Sequence, residues 1–158
     1  MAVRKILLEE DSALRRRARP ITSIDRRILT LLGDMADTMY KAEGVGLAAP
    51  QVGIMRRIVV IDVGDGLLEL INPEIVESTG EQVNPEGCLS IPGRRCTVAR
   101  PEFVTVRAVN RDGDEIEVSG DGYLAVALCH EIDHLDGILY IDKMIEDVTD
   151  QPEEETDD

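Results

Sequence analysis

Apolar and polar positions change period along this chain, and the changes mark its elements. Ile28, Leu31, Leu32, Met35 and Met39 recur at steps of three and four, the face of a helix that Ser23 or Asp25 can cap and that runs to about Lys41. Residues 57–63 (RIVVIDV) read as the clearest strand, and Asp65-Gly66 as a hairpin turn into a second strand over 67–75. Residues 103–109 alternate Phe, Thr and Arg with Val and Ala. The turn at Asp112-Gly113 leads from them into a strand at 115–118. Leu124, Val126, Ala127, Leu128, Ile132 and Leu135 then form an almost wholly apolar run, as in a helix buried in a core. Gly120 and Gly122 precede it and Gly137 stops it. Mostly antiparallel strands with two helices predict the α+β class, with sheets packed around the second helix. Residues 1–21 lack a clear period and read as an extended arm. Residues 146–158 carry eight acidic residues and no basic one, predicting a domain over 1–148 and a disordered acidic tail over 149–158.

The buried helix carries the chemistry. The chain has two histidines, and both lie in Cys129-His130-Glu131-Ile132-Asp133-His134, an HExxH motif. Positions four apart share one helix face, so both imidazoles can converge on one divalent cation. The glutamate beside the first reaches a water at the metal rather than the metal itself. A catalytic site of this kind needs a third protein ligand. Histidine is exhausted, leaving cysteine or a carboxylate. Asp136, Asp142 and Glu146 lie downstream; Cys88 lies upstream in a glycine-containing, apolar segment. Cys129 points about 100° away from His130 on the helix, and both it and Cys96 read as small apolar fillers. On the residues alone Cys88 ranks first and the carboxylates stay open.

Residues 44–53 (GVGLAAPQVG) form a second unusual stretch. Pro50 excludes a regular helix there, the glycines permit close backbone approach, and Gln51 is one polar side chain among small ones. It is no phosphate loop, since no Lys-Ser/Thr follows. A tight loop or the wall of a site fits it.

Composition narrows the setting. At 158 residues the chain makes one domain with a real core. No apolar run approaches the roughly 20 residues of a membrane span, and the first ten residues do not read as a signal peptide, so a cytoplasmic protein is expected. Three cysteines at irregular spacing argue against a disulfide framework. Charge is uneven: eleven Lys/Arg face seven Asp/Glu through Ile61, and six face twenty-five thereafter, for a net −15. Such a chain is a poor nucleic-acid reader. Arg15, Arg16, Arg17 and Arg19 read as solvated surface rather than an anion site.

Three segments, 44–51 (GVGLAAPQ), 86–90 (EGCLS) and 130–137 (HEIDHLDG), occur in an order and at separations that resemble the three motifs of bacterial peptide deformylases. The similarity runs from about residue 3 to 145. It implies that Cys88, His130 and His134 hold one ferrous ion, which zinc or nickel can replace. It implies hydrolysis of the N-formyl group from nascent polypeptides that begin with formylmethionine, releasing formate. Glu131 is then the general base and acid, and Gln51 and the Leu89 backbone N–H stabilise the oxyanion. Val45, Tyr123, Val126 and Ala127 border the methionine side chain. Gly44, Gly46, Glu86 and Gly87 complete the substrate site, with Arg95 assisting; an ion pair between Glu86 and Arg100 is the more structural reading of Glu86. Crowding by Gly44, Gly46 and Leu89 predicts poor turnover of N-acetyl peptides. Two departures stand out. Cys129 replaces the glutamine usual before HExxH, and the acidic tail replaces the basic C-terminal helix with which some relatives are thought to touch the ribosome, which argues against that contact. The competing readings are an HExxH zinc endopeptidase with a downstream acidic ligand, and a non-catalytic metal-binding relative.

Overall fold

The computed structural model describes residues 2–152; the last six positions of the expected tail lie outside them. The first helix, α1 (Arg26–Lys41), begins where the sequence placed it, with Asp25 Oδ1 accepting from the Ile28 N–H at 3.1 Å. Its buried face holds the five predicted apolar residues and also Asp34 and Thr38. These two polar groups are buried because the N-terminal arm satisfies them. Asp34 accepts from the Ala2 N–H at 2.9 Å and pairs with Arg4, while Thr38 Oγ1 accepts from the Arg4 N–H at 2.9 Å. The arm is otherwise irregular, with one 3₁₀ turn at Ser12–Arg15.

Eight strands follow: β1 (Gly46–Ala48), β2 (Ile58–Ile61), β3 (Leu68–Thr79), β4 (Gln82–Cys88), β5 (Ile91–Arg100), β6 (Phe103–Val109), β7 (Glu115–Asp121) and β8 (Met144–Asp147). These strands pair only antiparallel with one another, in one sheet of order β1-β2-β3-β6-β7 and another of order β4-β5-β8. The second helix, α2 (Gly122–Leu135), leaves β7 at once, and Gly137 at φ +75 follows its end.

The continuous apolar run of β2 has a direct cause: both its faces are covered. Val59 and Ile61 join Ala125, Leu128, Cys129, Ile132 and Leu135 of α2 in one core. Ile58 and Val60 join Leu31, Leu32, Met35 and Met39 of α1 in another. The helix bearing HExxH is therefore the central packed element, as its sequence suggested.

The β4–β5 hairpin and β8 were not legible locally. Pro85, Gly87, Pro92 and Gly93 punctuate the hairpin as a loop would, and β4 is an edge strand with most positions exposed. Its pairing is nevertheless regular from Gln82↔Arg100 to Glu86↔Cys96. The second predicted hairpin matches β6 and β7, and β3 runs longer than expected. β3 bends past Asn72, a left-handed residue at φ 52 whose amide bonds both backbone groups of Ile21.

Candidate active site

Cys88 ends β4, and the hairpin swings it against α2. Its Sγ lies 3.3 Å from His134 Nε2, and one donor atom each of Cys88, His130 and His134 falls within 4.8 Å of the others. A divalent cation bonded at about 2.0–2.3 Å to each of three donors requires such spacing. One thiolate and two imidazoles suit zinc or a ferrous ion and leave a fourth position for a reactant. The downstream acids do not compete: Asp136 pairs with Arg57 at 3.0 Å, Asp142 pairs with Arg15, and Glu146 sits on exposed β8.

A buried chain of charges orients the first histidine. His130 Nδ1 meets Glu86 Oε1 at 2.9 Å, so its Nε2 is free to face the other donors. Arg100 grips the same carboxylate with two bonds, at 2.8 and 2.9 Å, and reaches Asp133 with a third at 2.7 Å. Burial pushes Glu86 up, but the bonds from His130 and Arg100 outweigh it, and its carboxyl ends below the usual range. The expected ion pair is present. The Glu86 carboxylate is committed to His130 and Arg100, and Glu86 borders the cavity without a free oxygen for substrate. Burial, with help from His130 and Arg100, holds His134 well below the ordinary imidazole value, the neutral state a ligand needs. Around His130 the balance reverses. Burial disfavours its charge, yet Glu131, Cys88 and Glu86 overcome that, so the surroundings favour positive charge at this spot.

Glu131 shares the face. Burial raises its carboxyl to about 7, and its Oε1 is buried with no hydrogen-bond partner among the described residues. An unpartnered buried carboxylate is costly to keep, and a cavity beside it gives a reason. That cavity, of about 340 Å³, is walled on one side by residues 43–46 and Gln51. Pro85 to Leu89 form the opposite wall, and Tyr123, Val126, Ala127, His130 and Glu131 of α2 form the floor. Every residue expected at the site borders it except two. His134 is not part of the lining, although its ring meets Cys88 there. Arg95 is elsewhere: its guanidinium bonds the Val148 and Gln151 carbonyls at 3.3 and 2.7 Å, and Thr149 bonds its backbone.

Gln51 is 1% exposed, and its amide is held from both ends. Its Oε1 accepts from the Ala48 N–H at 2.9 Å; its Nε2 donates to Ser90 Oγ at 3.0 Å and lies 3.6 Å from Cys88 Sγ. Ser90 was not singled out from the sequence, although it closes the EGCLS segment. Leu89 sits in the β4–β5 turn with its side chain over Gly44, where a Cβ would come within 2.6 Å of Leu89 Cδ1. Cys129 packs into the core beneath α2 and burial raises its thiol, as its position on the helix required.

Comparison with known proteins agrees over nearly the whole chain. The family model described as polypeptide deformylase matches residues 3–149. The peptide deformylase of Acetivibrio thermocellus is 64% identical over 145 residues, covering 92% of this chain and 85% of that protein. That of Caldanaerobacter subterraneus is 60% identical over 145 residues, covering 92% and 91%. A peptide deformylase structure from Legionella pneumophila aligns with TM-score 0.88 at 49% identity over 90% of this chain and 86% of that one. One from Synechococcus elongatus, in complex with actinonin, aligns with TM-score 0.87 at 39% identity over 91% and 80%.

Proposed function

The chain belongs to the polypeptide deformylase family, and we propose from that premise how its residues divide the reaction. The reaction is metal-dependent hydrolysis of the N-formyl group at the start of a polypeptide, yielding formate and a free amino terminus. Cys88, His130 and His134 are the metal ligands, with Fe²⁺ as the native ion and Zn²⁺ or Ni²⁺ as replacements. The observation that carries this reading is the meeting of those three donors beside a buried, unpartnered carboxylate in one cavity.

A divalent cation held there supplies Lewis acidity, which acidifies water and polarises a carbonyl. The remaining work falls to side chains. Glu131 takes the proton of the attacking water and returns it to the departing amine nitrogen; its elevated pKa suits both directions. Gln51 Nε2–H and the Leu89 N–H donate to the formyl oxygen as charge gathers on it. Glu86 keeps His130 in the tautomer that points Nε2 at the site. β1 and β4 are edge strands of separate sheets that face each other across the cavity, so an extended peptide can pair with both. Gly44, Gly46 and Gly87 let its backbone approach, and Val45, Tyr123, Val126 and Ala127 receive the methionine side chain. The substrates are nascent N-formylmethionyl chains, so the enzyme works in the cytoplasm. No helix among the described residues is long and apolar enough to cross a membrane.

The test is formate release from formyl-Met-Ala-Ser, using enzyme purified anaerobically with its metal quantified, alongside Glu131→Gln. Wild-type activity with near-complete loss in a metal-retaining variant supports the assignment. A metallated wild type that releases no formate rejects it.

A further inference from the structure

We propose that Ser90 is a positioning residue for the reaction: its hydroxyl accepts one amide hydrogen of Gln51 and thereby aims the other at the reacting carbonyl oxygen. This rests on the reading of Gln51 as an oxyanion donor. A glutamine amide has one acceptor and two donor hydrogens, and a half-turn about its last bond exchanges them. In one state Gln51 offers the formyl oxygen an N–H; in the flipped state it offers a repelling oxygen. One buried bond chooses between the states, and a second holds the chosen one. The Ala48 N–H at 2.9 Å demands an acceptor and takes Oε1. With Oε1 so placed, Nε2 faces Ser90 Oγ at 3.0 Å and donates to it, the hydroxyl being able to serve either partner. Ser90 is 0% exposed, so no bulk water substitutes for its hydroxyl. With one hydrogen spent on Ser90, the second is left toward Cys88 and the cavity that Gln51 borders.

The backbone fixes this pair independently of the hydroxyl. The N-terminal arm donates from Leu7 N–H to the Gln51 carbonyl at 2.7 Å, and from Glu9 N–H to the Ser90 carbonyl at 2.9 Å. Amides two residues apart on an extended segment point the same way, so the arm ties the two segments together. Losing the hydroxyl therefore leaves the backbone in place and strands one amide hydrogen. The partner left to Nε2 is Cys88 Sγ, 3.6 Å away, which already faces the second hydrogen. Rotation toward it draws the amide off the line to substrate.

The experiment is a double-mutant cycle on nickel-loaded enzyme: wild type, Ser90→Ala, Gln51→Ala and the double variant, with kcat and KM for formyl-Met-Ala-Ser and nickel content for each. Gln51→Ala lowers kcat on the order of 100-fold. Ser90→Ala lowers it roughly tenfold, with KM and nickel content within twofold of wild type, and costs less than twofold once Gln51 is gone. In zinc-loaded enzyme, whose d¹⁰ ion is diamagnetic, side-chain amide signals of Gln51, assigned by their loss in Gln51→Ala, are sharp and shifted in wild type and collapse toward the free-amide position in Ser90→Ala. An equal loss from Ser90→Ala in both backgrounds, no loss at all, unchanged amide signals, or loss of nickel overturns the proposal while leaving the Gln51 reading intact. Wild-type kcat in Gln51→Ala instead overturns that reading, and this proposal with it.

Discussion

Gly46 and Glu131 occupy one space: a Cβ on Gly46 would stand 2.5 Å from Glu131 Oε2 and 2.9 Å from its Cγ. Neither side can retreat freely. Gly46 is paired to Ile61 in β1 and β2, and Glu131 is fixed in the packed helix α2. The Glu131 carboxylate is therefore placed by the absence of a side chain across from it. Gly46→Ala should displace the carboxylate and lower kcat by at least about tenfold, as loss of a well-placed acid–base group does, while bound metal is unchanged. A kcat within twofold of wild type would show that Glu131 steps aside without consequence.

The ligand set makes a second prediction. Cys88→Ser should reduce bound metal by an order of magnitude or more, because serine offers no thiolate at neutral pH. Asp142→Asn and Glu146→Gln should keep it. Metal analysis after gel filtration reads both; retained metal in Cys88→Ser together with loss in either acid variant would restore the endopeptidase-type ligand set.

Arg100 bears on stability. Its side chain is 3% exposed and serves Glu86, 4% exposed, and Asp133 together. Arg100→Met leaves two carboxylates short of their partner in the interior, at about 3–5 kcal/mol. Lys143→Met removes only the outer, solvent-facing contact to Asp133 and should cost under about 1 kcal/mol. Denaturant midpoints that fall equally in the two variants would refute this ranking.

Asp34 predicts an acid-sensitive arm. The Ala2 N–H lowers its carboxyl against the opposing effect of burial, and Arg4 adds to the lowering. With the folded value below the unfolded one, the stabilisation is complete above the ordinary carboxylate value near 4 and is lost as pH falls through the folded value. Wild type should thus lose more stability between pH 6 and pH 3 than Asp34→Asn. Urea melts at the two pH values measure it, and parallel losses would remove Asp34 from the acid response.

Chemistry that depends on local spacing was readable in the chain alone. The face of α1, the runs of β2 and β6 and the helix carrying His130, Glu131 and His134 follow from periodicity, because a helix or strand repeats its burial every few residues. The order of three short motifs identified the family, and Glu86 with Arg100 was foreseen as an ion pair. Tertiary structure alone decided the rest. Cys88 ranked first from the sequence, but how it reaches His134 from 46 positions away shows only in the fold, through a hairpin whose prolines and glycines look like a loop until β5 pairs with it. Arg95 went to the carbonyls near the C-terminus, a choice made by the packing of β8 against β5. Ser90 carries no local signal, since its hydroxyl matters only when Gln51, 39 residues away, is turned toward it. Residue type and period act through neighbours along the chain. Which donor meets which acceptor is settled when separate elements bury their apolar faces together.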